Sequence, residues 1–302
     1  IYTKKLDKNI FLCFPSNRSI LTTTQQPRNW RGTMTTFFWS VALFILIVMP
    51  LIVIHEWGHY IVARFNGIAV KAFSVGFGTE LFGWNNRHGT RFKLSLLPLG
   101  GYVEFLKPEE QKETRAYEHT AFDTSNVWAR IAVVAAGPIA NIMCAFALFS
   151  FFFYATSGGG LSAQTNGKYT LAAAVERSAQ EIANVTVLTF GTLGDVGTGE
   201  KSVRETFSGP VGIAHIAERI TSKYGWIGFL FLSAHISLAL GIMNLLPIPI
   251  LDGGYLFFYV VEALSGRPLK KKWLTAVNIA GIVLLLALFA VTTYGDIIRI
   301  LS

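Results

Sequence analysis

The stretch HEWGH, residues 55–59, closes an almost unbroken apolar run that covers residues 37–54. Residues four apart lie one above the other on an α-helix, so His55 and His59 can present ring nitrogens to a single ion. Glu56 is displaced around the helix, where its carboxylate can accept a proton from a water held by that ion. The spacing therefore predicts a zinc-dependent hydrolytic site within a membrane helix.

The same spacing also arises by chance in helices whose histidines are ordinary surface or core residues. Inside a bilayer, however, an ionisable side chain costs about 2.5–3.5 kcal/mol on insertion scales. Residues 55–59 contain three such side chains. An idle cluster would therefore carry a large insertion cost, which favours the metal site over chance.

The composition is typical of a polytopic membrane protein, because 52% of the 302 residues are hydrophobic and only 15% are charged. We predict an α-helical polytopic membrane protein with four transmembrane helices, since four segments can cross about 30 Å of hydrocarbon. The net charge of +8 comes from basic residues in loops beside these segments. We therefore expect a lipid bilayer as a partner and no nucleic acid. The four segments are residues 37–62, 128–154, 226–248 and 273–294.

The polar residues 1–33 differ from the rest of the chain and contain no apolar run suited to a signal peptide. We interpret them as an untranslated or disordered leader, and residues 34–302 as the membrane domain. With this start, the positive-inside rule places residues 64–127 and 262–272 in the cytoplasm and residues 155–225 outside. The metal site is then expected near the cytoplasmic side of the membrane.

Two histidines leave a zinc site incomplete, and the stretch NLLPIPILDGG at residues 244–254 provides a third ligand. Pro247 and Pro249 cannot continue the hydrogen bonding of a helix, and the paired glycines free the backbone after the carboxylate. Irregular backbone at membrane depth is tolerated only beside protein or a polar cavity. Asp252 is therefore predicted as the third ligand, with a fourth position open for water. Asn244 could donate to an oxyanion or a substrate carbonyl, or form an interhelical hydrogen bond instead.

Residues 72–105 alternate apolar and polar side chains with frequent glycines, which predicts a small β-hairpin element between the first two spans. One interpretation is a subdomain that caps the helix bundle. The other follows from the need to unwind a helical substrate before its peptide bond can be attacked. An exposed strand edge beside the metal could pair with the unwound substrate and present it in an extended form.

In combination, HEWGH, PLGGYV at residues 98–103, AGP at residues 136–138 with Asn141, and NLLPIPILDGG resemble the site-2 protease family. The resemblance covers the chain from about residue 34 onward and implies an intramembrane zinc metalloprotease. It implies the following roles: Zn²⁺ ligands His55, His59 and Asp252, catalytic acid/base Glu56, and substrate contacts from Asn244, Gly100 and Gly101.

The resemblance also implies the partner and the location. The partner is a transmembrane helix of a single-span membrane protein, such as an anti-sigma factor, or a signal-peptide remnant. The location is the bacterial inner (cytoplasmic) membrane, where the chain is a multi-pass protein.

The chain departs from the resembled family between the second and third spans. Family members usually carry one or two PDZ domains there, whereas residues 155–225 form only a short segment with a predicted amphipathic helix at residues 171–192. The glycine-rich residues 157–160 mark the expected deletion point.

Two other functional classes remain open. A polytopic carrier with a metal at its midpoint is disfavoured because the sequence has no internal repeat. A catalytically silent relative acting as a scaffold is disfavoured because every residue of the predicted site is intact.

Overall fold

The computed structural model describes residues 30–109, 120–156, 170–202, 206–207, 209–267 and 271–301. Side chains within residues 30–37, 271–274 and 299–301 and at positions 99, 210 and 297 are not described. The elements in chain order are α1 (Trp30–Phe65), β1 (Val70–Asn85), β2 (Arg91–Phe105), α2 (Val127–Thr156), α3 (Leu171–Gly197), α4 (Pro210–Leu245), α5 (Asp252–Ser265) and α6 (Lys271–Leu301).

Four of these helices are long and apolar enough to cross a membrane, which confirms the predicted fold class. The candidate spans within α1, α2, α4 and α6 are Phe38–Phe65, Val127–Thr156, Val211–Leu245 and Thr275–Asp296. Most of the predicted leader lies outside the described residues, and α1 already begins within it, at Trp30.

The predicted start of the third span, at residue 226, was wrong. Helix α4 begins at Pro210 and continues through a break at Gly225, which has φ 60° and ψ −144°. The first part of α4 contains Glu218, Arg219 and Lys223. These charged residues lower its mean hydropathy, so this part of the helix was not predicted as a membrane span. Pro210 occupies the first turn of α4, where a missing backbone N–H costs nothing.

The predicted β-hairpin element is confirmed, and β1 and β2 are longer than a simple hairpin requires. Strand β2 bends, so Ala72 of β1 lies opposite both Glu104 and Arg91. The first half of β1 is therefore flanked on both sides by β2, which leaves residues 101–105 at one edge of a small antiparallel sheet. Gly76 and Gly78, with φ 90° and 88°, allow the chain to turn at the register shifts.

Aromatic side chains attach this sheet to α1. The ring of Tyr60 lies 5.4 Å from that of Phe92, and the ring of Trp57 lies 5.7 Å from that of Phe73. Each such pair contributes about 0.5–1.5 kcal/mol beyond the area it buries. The amide of Asn86 also donates to the Tyr60 hydroxyl at 3.0 Å. The sheet is thus fixed directly beside the HEWGH turn of α1.

Helix α3 confirms the amphipathic helix predicted at residues 171–192, and it folds back along α2. The Ser150 hydroxyl donates to Ser178 at 3.1 Å, and Ser178 is fully buried. Further along α3, Glu181 lies 3.7 Å from His235 of α4. His235 therefore lies in the contact between helices and not beside His55, His59 and Asp252. The expected deletion point falls outside the described residues.

Candidate active site

The two HEWGH histidines and Asp252 converge on one point. The Nε2 atoms of His55 and His59 are 3.2 Å apart. The Asp252 carboxylate oxygen Oδ2 lies 2.9 Å from the first and 3.3 Å from the second. Both histidines are buried, and the Asp252 side chain is 22% exposed. Two chain segments almost 200 residues apart are therefore brought together as the sequence predicts.

This arrangement fits a zinc ion in both spacing and chemistry. Zinc–nitrogen and zinc–oxygen bonds of about 2.0–2.1 Å in tetrahedral geometry place neighbouring ligand atoms about 3.3 Å apart, close to the three observed separations. The unprotonated nitrogen of a neutral imidazole and a carboxylate oxygen are both acceptors, and both can bind a metal ion. Three such atoms at this distance can share one cation, and His55, His59 and Asp252 are the only group of three of this kind within the described residues.

Gly137 of α2 leaves space for the imidazole rings of His55 and His59. A Cβ at this position would lie 2.3 Å from His59 Nε2 and 2.9 Å from His55 Nε2. One position in α1 shows the same close packing, because a Cβ on Gly58 would lie 2.5 Å from the Ala136 carbonyl oxygen. Helices α1 and α2 therefore touch through their backbones beside His55 and His59.

Asp252 reaches the histidines because α4 stops and a new helix starts. Helix α4 ends at Leu245, and α5 begins at Asp252 after an irregular loop with Ile250 at φ 76°. Such a φ is strained for a β-branched residue. Position 253 next to Asp252 has room only for glycine, because a Cβ there would lie 2.1 Å from the Leu246 carbonyl oxygen. The prolines and glycines of the stretch thus build the tight loop that was predicted from them.

The far end of α5 is fixed by an ion pair that the sequence analysis did not identify. The Arg130 guanidinium of α2 donates to both carboxylate oxygens of Glu262, at 3.2 and 2.7 Å, and lies 4.8 Å from the Tyr259 ring. Burial raises the pKa of Tyr259 to about 12. This clamp holds the helix that carries Asp252.

Glu56 lies between the His55, His59 and Asp252 group and the sheet. Its carboxylate accepts a hydrogen bond from the backbone N–H of Val103 and interacts electrostatically with both histidines and Asp252. A Cβ on Gly101 would lie 3.3 Å from Glu56 Cγ. The sheet edge formed by residues 101–105 therefore runs directly past the predicted acid/base. Gly100 packs under the Phe77 ring instead, with φ 134°.

Comparison with known proteins identifies the family of this site. The model of peptidase family M50, the site-2 protease family, matches residues 43–288. This chain belongs to peptidase family M50. Three relatives of this chain share the name zinc metalloprotease, which supports a zinc-dependent metalloprotease and Zn²⁺ as the cofactor of this chain.

These relatives align over most of their own length. The Rhizobium meliloti protein is 29% identical over 86% of this chain and 96% of its own length. The Agrobacterium fabrum protein is 28% identical over 84% of this chain and 94% of its own length. The Mesorhizobium japonicum protein is 29% identical over 86% of this chain and 99% of its own length. The first alignment has 361 positions, more than the 302 residues of this chain. That relative therefore has additional residues inside the matched region.

The structure does not bring every predicted residue of the M50 site to the metal ligands. The Asn244 amide is partly buried and donates to the Leu240 carbonyl of its own helix at 2.9 Å. Asn141 belongs to a family motif without a predicted role at the site, yet its amide lies 3.3 Å from His55 Nδ1. The motif spacing of four residues after Gly137 was the one sequence feature that pointed to it.

Proposed function

We propose that this M50 protein hydrolyses peptide bonds within the transmembrane segments of single-span membrane proteins. The observation that carries the proposal is the depth of the metal site. His55 and His59 lie ten and six residues before the end of α1, about 15 and 9 Å along the helix axis. A site at this depth in a span favours substrates that enter from the bilayer.

His55, His59 and Asp252 hold the zinc ion in this proposal, and Glu56 is the acid/base. When bound, zinc lowers the pKa of a water molecule and polarises a carbonyl group. Glu56 accepts the proton of the attacking water and delivers it to the leaving amine. The Val103 N–H holds the Glu56 carboxylate in place for this transfer.

The sheet edge supplies a way to bind an unwound substrate. A transmembrane helix satisfies its own backbone hydrogen bonds, and these must be replaced when it is extended. The edge formed by residues 101–105 offers backbone groups for strand addition beside Glu56. Gly100 and Gly101 contact the substrate at the start of this edge, where Gly101 places no side chain beside Glu56. Asn244 binds the substrate carbonyl after leaving its helical partner.

The proposed setting is the bacterial inner membrane, with the site near the cytoplasmic side. The bacterial relatives support this orientation, and so do the basic residues that follow α5 in the sequence, Arg267, Lys270, Lys271 and Lys272. Proposed substrates are anti-sigma factors or signal-peptide remnants. The additional residues of the relatives belong between α2 and α3, where a PDZ domain is expected.

The decisive experiment measures zinc content and cleavage together. The wild type, Glu56→Gln and Asp252→Ala proteins are purified in detergent, assayed for zinc by mass spectrometry, and incubated with a model transmembrane peptide. We expect the wild type to hold one zinc and cleave, Glu56→Gln to hold zinc without cleaving, and Asp252→Ala to lose both.

Three outcomes would contradict the proposal. Cleavage by Glu56→Gln removes the role of that residue, and full zinc content in Asp252→Ala removes the third ligand. Zinc binding by the wild type without any cleavage would instead support the silent scaffold.

A further inference from the structure

The two metal-binding imidazoles point their Nε2 atoms inward, so their Nδ1 atoms point away from the metal. His59 Nδ1 lies 2.7 Å from the Val133 carbonyl oxygen. A carbonyl only accepts hydrogen bonds, so this Nδ1 carries the proton and Nε2 keeps its lone pair. The surroundings of His59 therefore select the tautomer that can bind a metal.

The same requirement applies to His55. If its Nε2 binds the metal while the ring is neutral, its Nδ1 must carry a proton and needs an acceptor. The group that faces this Nδ1, at 3.3 Å, is the Asn141 amide, with its nitrogen Nδ2 turned toward the ring. Two donors would then face each other, which is unfavourable in a buried site.

A half-turn of the Asn141 amide removes this conflict. Asn141 is fully buried, and its carbonyl oxygen Oδ1 meets no hydrogen-bond donor among the described residues. Because the two ends of a carboxamide have nearly the same shape, the half-turn needs no repacking. It directs Oδ1 at the His55 Nδ1–H, so the unpartnered oxygen and the unpartnered proton satisfy each other.

We infer that Asn141 is a positioning residue that accepts the Nδ1–H of His55 and thereby fixes its tautomer and ring orientation for zinc. The inference rests on the zinc site of the proposed function. Asn141 is itself held in place, because its backbone carbonyl accepts the Ser237 hydroxyl at 2.8 Å. Loss of such an outer partner typically weakens metal binding about 10–100-fold.

The test is a zinc affinity titration against a competing chelator, performed on the full chain in detergent. Asn141→Leu keeps the approximate volume and removes the acceptor, so zinc affinity should fall about 10–100-fold. Asn141→Asp offers only acceptors, so its zinc affinity should equal or exceed that of the wild type. Ser178→Ala removes a buried hydrogen bond elsewhere in the bundle and should leave zinc affinity unchanged.

The two substitutions separate the possible roles of Asn141. If Asn141 donated to His55, Asn141→Asp would weaken zinc as much as Asn141→Leu, and that result overturns the inference. Wild-type affinity in Asn141→Leu also overturns it. If Asn141→Leu does not fold, Asn141→Asp decides alone, since a tenfold loss refutes the acceptor role. A wild type without zinc would refute the proposed function itself.

Discussion

Replacing Gly137 with alanine should remove zinc from this protein. The added Cβ would lie 2.3 Å from His59 Nε2 and 2.5 Å from its Cε1. Non-bonded carbon atoms prefer separations of about 3.5–4.0 Å, so the methyl group is more than about 1 Å too close to the ring. The imidazole must move, because the methyl group belongs to a helix backbone that packs against α1.

A movement of this size exceeds what a zinc site tolerates. Ligand distances in such sites hold to within about 0.2 Å, so His59 cannot both avoid the methyl group and bind the ion. Loss of a direct ligand should weaken zinc by more than the 100-fold upper value for an outer partner, or more than about 2.7 kcal/mol. Helix propensity acts in the opposite direction, since alanine favours a helix by about 0.8–1.0 kcal/mol over glycine.

The assay is zinc affinity by chelator competition, together with helical content by circular dichroism. Gly191→Ala in α3 is the matched control, because beyond its own stretch of helix nothing in the described part of the chain lies within 4 Å of the added Cβ. It makes the same substitution in a helix and should keep wild-type zinc affinity. If Gly137→Ala bound zinc within about threefold of the wild type, the close approach of α2 to the histidines would be refuted.

Three further predictions concern the clamp, the alkaline pH range and the substrate. Arg130→Ala leaves the Glu262 carboxylate unpaired in a mostly buried site and should lower the free energy of unfolding by about 3 kcal/mol. The reversed pair, Arg130→Glu with Glu262→Arg, should recover part of this lost stability in thermal unfolding. A double variant that recovers no stability would argue against a direct ion pair. The pKa of Tyr259 is raised to about 12 from about 10 in an unfolded chain. The contribution of the protonated phenol to folding stability is therefore complete below pH 10 and is lost between pH 10 and 12. Tyr259→Phe should therefore flatten the fall in melting temperature across that range, and an unchanged fall would assign it to other groups. With the short segment at residues 155–225, cleavage should depend only weakly on prior trimming of the substrate on the outer side; a strong preference for a truncated over a full-length substrate would contradict this.

The membrane fold and the convergence of His55, His59 and Asp252 could be predicted because each depends on local patterns. The apolar runs fix the spans, and HEWGH needs only helical spacing to place two nitrogens on one face. Asp252 could be predicted because zinc requires another ligand and the prolines and glycines around it forbid a continuous helix. The structure brings these residues together without any correction.

The remaining features depend on contacts between distant segments. Arg130 and Glu262 are 132 residues apart, and no local pattern links them. Gly137 shows its role only when the histidines of another helix lie against it. The start of α4 was misplaced because charged residues within a helix lower its hydropathy without ending it. The predicted contact of Asn244 involves a substrate, so its amide bonds within its own helix instead.

The contact of Gly58 with the Ala136 carbonyl has a mechanical consequence. Two helices that meet backbone to backbone cannot be pushed together further, and they separate only by losing that close contact. The two imidazoles are therefore held at a fixed position between α1 and α2. We expect that any motion that admits a substrate occurs in the bent strand β2 and in the loop before Asp252. Lipids that soften or thin the bilayer should then change the rate at which substrates enter the site, while the zinc affinity stays constant.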